Sequence, residues 1–212
     1  IFTNKEFDKI NKTVDIEVDK AAEWAEKQEN PDIENAHRNI YGEDQTFMSY
    51  PDNESENIVL VDAINHALDE ELLFNDKALI YGQDIAGGKG GVFTATKGLT
   101  AKHGKKRVFN SPLAESSIIG TAVGLSTLGY KPIIEIQFGD YIWTAMMQIR
   151  NEVATMRYRS NGNWSCPFVM RVPVGGYIHG SLCHSQSIDG FFTHLPGIRI
   201  AYPSNAADAK GL

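Results

Sequence analysis

No run of about 18 or more apolar residues occurs in this chain, and no basic, apolar, small-residue leader opens it, so neither a membrane-spanning helix nor a secretory signal is expected. Cysteine is scarce. Cys166 and Cys183 stand without CxxC spacing, which argues against a disulfide framework and for reduced thiols in a reducing compartment. Lys and Arg nowhere form the clusters that phosphate backbones require, so nucleic acid is not an expected partner. The dinucleotide fingerprint GxGxxG is missing too. In "GQDIAGGKGG" a P-loop would need Ser or Thr after Lys89 and Gly five residues before Gly88, but Gly90 and Gln83 stand there. A substrate-side or partner-side loop is therefore favoured over a phosphate cradle.

What is present is long enough for one sizeable α/β domain with an appendage: 212 residues, 42% hydrophobic and 22% charged. The net charge of −7 is uneven. Residues 1–56 hold 15 acids against 6 bases, a net of −9, and the remainder 12 against 14, or +2. The acidic part opens with "TNKE", in which Thr3 and Glu6 have capping-box spacing. Phe7, Ile10, Val14, Val18, Ala21 and Ala25 then recur every three or four residues, which predicts one amphipathic helix. Pro31 stops it, and a polar, turn-rich stretch follows that buries little. The reading is a helical arm over 1–43, wrapped on a partner or packed on the main domain, a linker over 44–56, and a domain over 57–212. Because the chain starts at Ile1 and stops at Leu212 inside an expected helix, "SNAADAKGL", it reads as a piece of a longer polypeptide.

From Asn57 onward, helices alternate with short apolar strands. "IVLVDAINHALDEELL" reads as a helix, "ALIYG" and "RVFN" as strands, and a helix containing Glu115 follows. "PIIEIQF", "PFVMRV" and "GIRIAY" are strand-like, separated by the helical "DYIWTAMMQIRNEVATMRYR" and by a loop and helix from Gly175 to Leu195. This alternation implies a mostly parallel sheet covered on both faces. Ligands of such sheets lie beyond the carboxyl ends of the strands, which selects residues 82–91, 110–115, 138–143 and 173–187 for chemistry.

In the last of these, "GGYIHGSLCHSQS" brings together His179, Cys183 and His184. A zinc site lacks its fourth ligand and familiar spacing here. A Cys183 nucleophile with His184 as base would need adjacent side chains to face one another. An imidazole used for hydrogen bonding or proton transfer is the favoured reading. The second segment holds one acid, Glu115, in a stretch from Val108 to Tyr130 with no other charged residue. Ser111 and Pro112 suit a helix start, yet a capping box on Ser111 needs its glutamate at position 114, which is alanine. Gly120 and Gly124 let another backbone come close, so the helix is expected in the interior or at an interface. An acid at the mouth of such a helix needs a partner, and a ligand nitrogen would serve.

Two long stretches, "LAESSIIGTAVGLSTLGYKPIIEIQFGDYIWTAMMQIRNEVATMRYRS" and "HGSLCHSQSIDGFFTHLPGIRIAYPSNAADAKGL", resemble the β chain of the decarboxylating dehydrogenase component of 2-oxoacid dehydrogenase complexes, over about Ile58 to Leu212. "HGSLCHSQS" with "EIQFGDY" is more similar to the branched-chain, 2-oxoisovalerate type than to the pyruvate type. "EVDKAAEWAEKQENPD" and "NIYGED" resemble the C-terminal tail of the same component's α chain, which implies a fused α-β polypeptide.

The resemblance implies a three-layer α/β/α thiamine diphosphate-binding fold, with this chain as its pyrimidine module and a helical arm in front. It implies that Glu115 hydrogen-bonds the pyrimidine N1′, so that the cofactor can lose its thiazolium proton, decarboxylate a 2-oxoacid and pass the acyl group to lipoamide. Tyr141, Leu113 and Gln137 are implied as walls of the cofactor pocket, and His184 as the catalytic histidine close to Tyr141. His179 is left to a supporting role. Carbonyls of Phe168 to Met170 are implied to line a monovalent cation site, whereas Mg²⁺ and the diphosphate belong to a G-D-G…N motif on the α-type portion that does not occur here. The implied partners are that α-type portion, further copies in a homo-oligomer or α₂β₂-like assembly with the 120–124 helix as an interface, and a lipoyl transacylase component. Alone, the chain is expected to be inactive. The implied compartment is the bacterial cytoplasm, or the mitochondrial matrix in a eukaryote. A transketolase-like or deoxyxylulose-phosphate-synthase-like enzyme and a noncatalytic interaction module of the same fold are the alternatives.

Overall fold

The computed structural model describes residues 2–43 and 57–212, so the expected linker over 44–56 lies outside the described residues. The chain divides into two compact units, Ile1–His37 and Arg38–Leu212. In the first, helix α1 spans Asn4–Glu26 and is capped as the sequence predicts: Glu6 N–H donates to Thr3 Oγ1 and the Glu6 carboxylate accepts from Thr3 N–H. None of its residues is buried, and Phe7, Ile10, Val14 and Val18 are all exposed.

The second unit contains, in chain order, α2 (Leu60–Phe74), β1 (Ala78–Gly82), α3 (Leu99–His103), β2 (Val108–Asn110), α4 (Glu115–Thr127), β3 (Lys131–Glu135), α5 (Met156–Arg159), β4 (Val169–Arg171), α6 (Asp189–Phe192) and α7 (Ala206–Gly211). The strands form one parallel sheet in the order β2-β1-β3-β4, with Ile80 opposite both Val108 and Ile133. Side chains alternate across a strand, so neighbouring residues of β1 feed different layers. Ile80 packs with Leu68 and Leu72 of α2 and Leu99 of α3, whereas Tyr81 packs with Ile118, Ile119 and Ala122 of α4. Full burial of each such Leu or Ile contributes about 1.5–3 kcal/mol. The result is the expected α/β architecture with helices on both faces of the sheet. Among the described residues no helix is long and apolar enough to cross a membrane.

Three expectations need correcting. "GIRIAY" forms no strand: Gly197 adopts φ +101° against the Ala154 carbonyl, Ile198 turns into the core, and Arg199 bonds to the Gly42 carbonyl (3.0 Å), so the segment never enters the ladder beyond β4. The long helix over 140–159 is broken into a 3₁₀ segment (Gly139–Ala145), a π segment (Gln148–Val153) and α5. The helix bearing Glu115 starts later than Ser111 and Pro112 suggest. Ser111 N–H still donates to the Gly82 carbonyl (2.8 Å), extending the sheet's hydrogen bonding past β2, so helical geometry begins only at Glu115.

Asp69 of α2 pins α3 by accepting from Lys102 Nζ (2.5 Å) and contacting His103 Nε2 (2.7 Å). These two partners hold its carboxyl below the usual carboxylate range. A carboxyl depressed in the folded state stabilises the protein above its unfolded pKa and loses that contribution as pH falls through the folded one. Asp69→Asn is therefore expected to lower the urea midpoint at about pH 7, with the difference shrinking below about pH 4. An equal difference at both pH values would show that the carboxylate charge is irrelevant there.

Candidate active site

Because the strands are parallel, their carboxyl ends gather at one edge, and the loops leaving them carry the candidate residues. Gln83 follows β1 directly and is buried. Glu115 is the first residue of α4, preceded by Ala114, which supplies no side-chain cap. Its half-buried carboxylate therefore sits where the helix dipole favours negative charge. Both oxygens accept from side chains: Oε1 from Gln83 Nε2 at 2.9 Å and Oε2 from Thr144 Oγ1 at 3.1 Å. Glu115 is thus held by two neutral donors on other elements and is no capping-box residue.

A second group lies alongside. Tyr141 OH is 2.7 Å from His184 Nε2, and His184 Nδ1 is 3.0 Å from the Gly180 carbonyl. A carbonyl only accepts, so Nδ1 carries the hydrogen, and in the neutral ring Nε2 accepts from the Tyr141 hydroxyl. Phe138 packs edge-on to the imidazole, with centroids 4.5 Å apart. Gly180 is required there because a Cβ would stand 2.4 Å from the His184 Cβ. Tyr141 and Thr144 share the Gly139–Ala145 segment, so one short element serves both groups: Thr144 contacts Glu115, and Tyr141 contacts His184.

Leu113 is 84% exposed and lines a cavity of ≈ 210 Å³ with Gln83, Asp84, Asn110 and Ser111. Ser111 Oγ is buried there without a hydrogen-bond partner. Gln137 reaches the same neighbourhood through Asp84, its Nε2 lying 3.4 Å from Asp84 Oδ2. His179 is exposed and apart from these contacts, and its backbone N–H bonds to the Gly176 carbonyl. Among the described residues no group of three His, Cys, Asp or Glu side chains could hold a metal ion. Both cysteines are free, and burial pushes the Cys166 thiol up to about 11, away from nucleophilic use.

Three features escaped sequence reasoning. Gln83 stood in a segment read for its glycines. Thr144 lay one residue past the segment chosen after β3. Glu135, a lone acid in an apolar strand, is buried and paired with Arg171, whose burial lowers its pKa to about 10 and leaves it charged at neutral pH. The lone charge in "PIIEIQF" was the available signal.

The sequence pattern of the transketolase pyrimidine-binding domain matches residues 56–212. The 2-oxoisovalerate dehydrogenase β subunit of Bacillus subtilis is 49% identical over 152 residues, covering 72% of this chain and 46% of that protein. The mitochondrial 2-oxoisovalerate dehydrogenase β subunit of Dictyostelium discoideum is 44% identical over 181 residues, covering 82% and 48%. The pyruvate dehydrogenase E1 component β subunit of Bacillus subtilis is 43% identical over 155 residues, covering 73% and 47%. Among solved structures, a split-gene transketolase described as an inactive β4 tetramer superposes with a TM-score of 0.54 at 25% identity, covering 73% of this chain and 46% of that one. The chain spans about half the length of these relatives. With its parallel sheet, two covered faces and the match over residues 56–212, the chain belongs to the transketolase pyrimidine-binding domain family.

Proposed function

We propose that this chain is the pyrimidine-binding part of a thiamine diphosphate-dependent 2-oxoacid dehydrogenase of the branched-chain type, preceded by an α-type tail in one fused polypeptide. The observation that carries the reading is the Glu115 carboxylate, fixed on both oxygens by Gln83 and Thr144 beside the Tyr141–His184 pair. The relatives named 2-oxoisovalerate dehydrogenase support the substrate class. The residues present fit the cofactor's pyrimidine. Ser111, whose buried Oγ has no hydrogen-bond partner, and Leu113, an exposed apolar wall, line one cavity, which suits a ring with polar edges and apolar faces.

When bound, thiamine diphosphate supplies the electron sink for decarboxylation. Glu115 would hold the proton at the pyrimidine N1′, with Gln83 and Thr144 fixing the carboxyl's orientation. Leu113, Gln137 and Tyr141 would enclose the ring and exclude water. His184, oriented by the Gly180 carbonyl, would give or take a proton at Nε2, with the Tyr141 hydroxyl as its neighbour in the relay.

In this reading the diphosphate and its Mg²⁺ would be held by the α-type portion. A monovalent cation at the Phe168 to Met170 carbonyls belongs to the same reading. The face of α4 bearing Gly120 and Gly124 is open, with nothing within 4 Å of either glycine's Cβ position, and would receive the α-type portion or a second copy in an α₂β₂-like assembly. The acyl group would leave on a lipoyl transacylase, in the bacterial cytoplasm or mitochondrial matrix. This chain by itself would be inactive.

The split-gene transketolase neighbour favours one rival, ketol transfer between sugar phosphates. Both readings are tested by offering the assembled enzyme pyruvate, 2-oxoisovalerate, 2-oxoglutarate and a ketose phosphate, with and without thiamine diphosphate. The expected result is cofactor-dependent CO₂ release, with kcat/KM for 2-oxoisovalerate about tenfold or more above pyruvate. Turnover of the ketose phosphate instead would replace this reading with the rival.

A further inference from the structure

Residues 84–94 form a loop in which seven positions have positive φ: Asp84, Gly87, Gly88, Gly90, Gly91, Phe93 and Thr94. Glycine takes this conformation freely, but Phe93 (φ 56°) and the β-branched Thr94 (φ 65°) do not. Such strain persists only where the surroundings over-determine it. The loop closes on itself through Gly91 N–H to the Asp84 carbonyl (2.9 Å), and its far side is tied by Thr96 Oγ1 to the Ile85 carbonyl (2.9 Å). Directly beneath the closure, Val92 is gripped from both sides: its N–H donates to Glu135 Oε1 (2.8 Å), and its carbonyl accepts from Arg171 Nη2 (3.4 Å). Glu135 and Arg171 pair with one another, and Glu135 is 2% exposed.

Glu135 also bears on the residues that lead to the site. Gly82 is pressed on the Glu135 backbone, where a Cβ would meet the Glu135 carbonyl oxygen at 2.6 Å. A Cβ at Gly91 would lie 3.1 Å from both Glu135 carboxylate oxygens, so the loop's base rests on that carboxylate. Between those contacts the chain runs through Gln83, the donor to Glu115, and Asp84, which contacts Gln137.

We infer that Glu135 and Arg171 are positioning residues: by clamping Val92 they hold the strained 84–94 loop shut and keep Gln83 aimed at the carboxylate of Glu115. The inference rests on Glu115 being the carboxyl that meets the cofactor. A buried ion pair is a poor source of stability, and replacing both members by apolar residues is often neutral, whereas removing one strands a charge. The clamp and the fold are therefore separable by mutation.

The test compares the assembled wild type with Glu135→Leu/Arg171→Met. Lys89, exposed at the loop tip, reports opening through tryptic cleavage without cofactor, because cleavage of a transiently open segment follows its open population. In the double variant, cleavage after Lys89 is expected to accelerate about tenfold or more. The KM for thiamine diphosphate is expected to rise about tenfold while kcat at saturating cofactor changes less than about threefold. A double variant that retains wild-type circular dichroism and wild-type cleavage overturns the clamp. Faster cleavage with an unmoved cofactor KM overturns the positioning role. If the double variant does not fold, Arg171→Lys, which keeps the charge but loses the fork geometry, decides the matter by raising cleavage and KM together or by leaving either unchanged. A wild type whose activity ignores thiamine diphosphate sinks the cofactor reading, and Lys89 cleavage still tests the clamp.

Discussion

Glu115→Gln in the assembled enzyme is expected to lower thiamine diphosphate-dependent decarboxylation about 10²- to 10⁴-fold, the range for losing a positioned proton-transfer group. The substitution keeps the side chain's length and shape and leaves one oxygen to accept from Gln83 or Thr144. It removes the ability to hold and release a proton, and it turns an amide NH₂ toward one of two groups that both donate to the carboxylate. Glu115 is half-buried, and each lost hydrogen bond is worth about 1 kcal/mol, so the urea midpoint should move little. A stable Glu115→Gln enzyme with wild-type turnover would remove this carboxyl from the chemistry.

Gly197→Ala should have the largest effect on stability. At φ +101° an alanine is strained whatever the space, and its Cβ would sit 2.0 Å from the Ala154 carbonyl oxygen and 3.0 Å from the Ala154 carbonyl carbon. Backbone must move to relieve such an overlap, and Ala154 is itself buried at the end of the π segment Gln148–Val153. Leu195 and Ile198, on either side of the glycine, pack against the core cluster that contains Ile149 and Phe192. The expected loss is about 3 kcal/mol or more, read as a lowered urea midpoint. Gly190→Ala, where nothing lies within 4 Å of the Cβ position, is the control and should stay within about 0.5 kcal/mol. Equal stability of the two variants would contradict the close approach of Gly197 to Ala154.

The same region shows what was and was not legible in the sequence. "ALIYG" and "PIIEIQF" read as strands because central strands of a parallel sheet are buried on both faces and become unbroken apolar runs. "GIRIAY" is likewise rich in apolar residues but does not pair, because a strand needs a neighbouring ladder and Gly197 turns the chain away from β4. Its apolar residues serve the core and surface individually. The start of α4 at Glu115 has a related cause. Ser111 and Pro112 have the local chemistry of a helix start, but the hydrogen bond from Ser111 N–H to the Gly82 carbonyl is tertiary, and no local pattern announces it.

Within the site, Glu115 was visible as one acid in a charge-free stretch, and Tyr141 and His184 through resemblance. The structure brings those last two within hydrogen-bond reach. Gln83 and Thr144 were not visible. Each is a neutral side chain donating to a carboxylate 32 or 29 positions away, and neither periodicity nor spacing marks such a role. Glu135 lay between these cases: its oddness in an apolar strand was legible, but its partner Arg171 sits on a different strand and is matched to it only by the sheet's register.

In the proposed function, Glu115 serves a thiamine diphosphate-dependent decarboxylation of a branched-chain 2-oxoacid. The most direct measurement is release of labelled CO₂ from carboxyl-labelled 2-oxoisovalerate, with wild-type and Glu115→Gln assemblies assayed side by side, with and without thiamine diphosphate. The account predicts release by wild type only when the cofactor is present, and at least about 10²-fold less from the variant. Release that is indifferent to the cofactor, or equal in the two proteins, would contradict it.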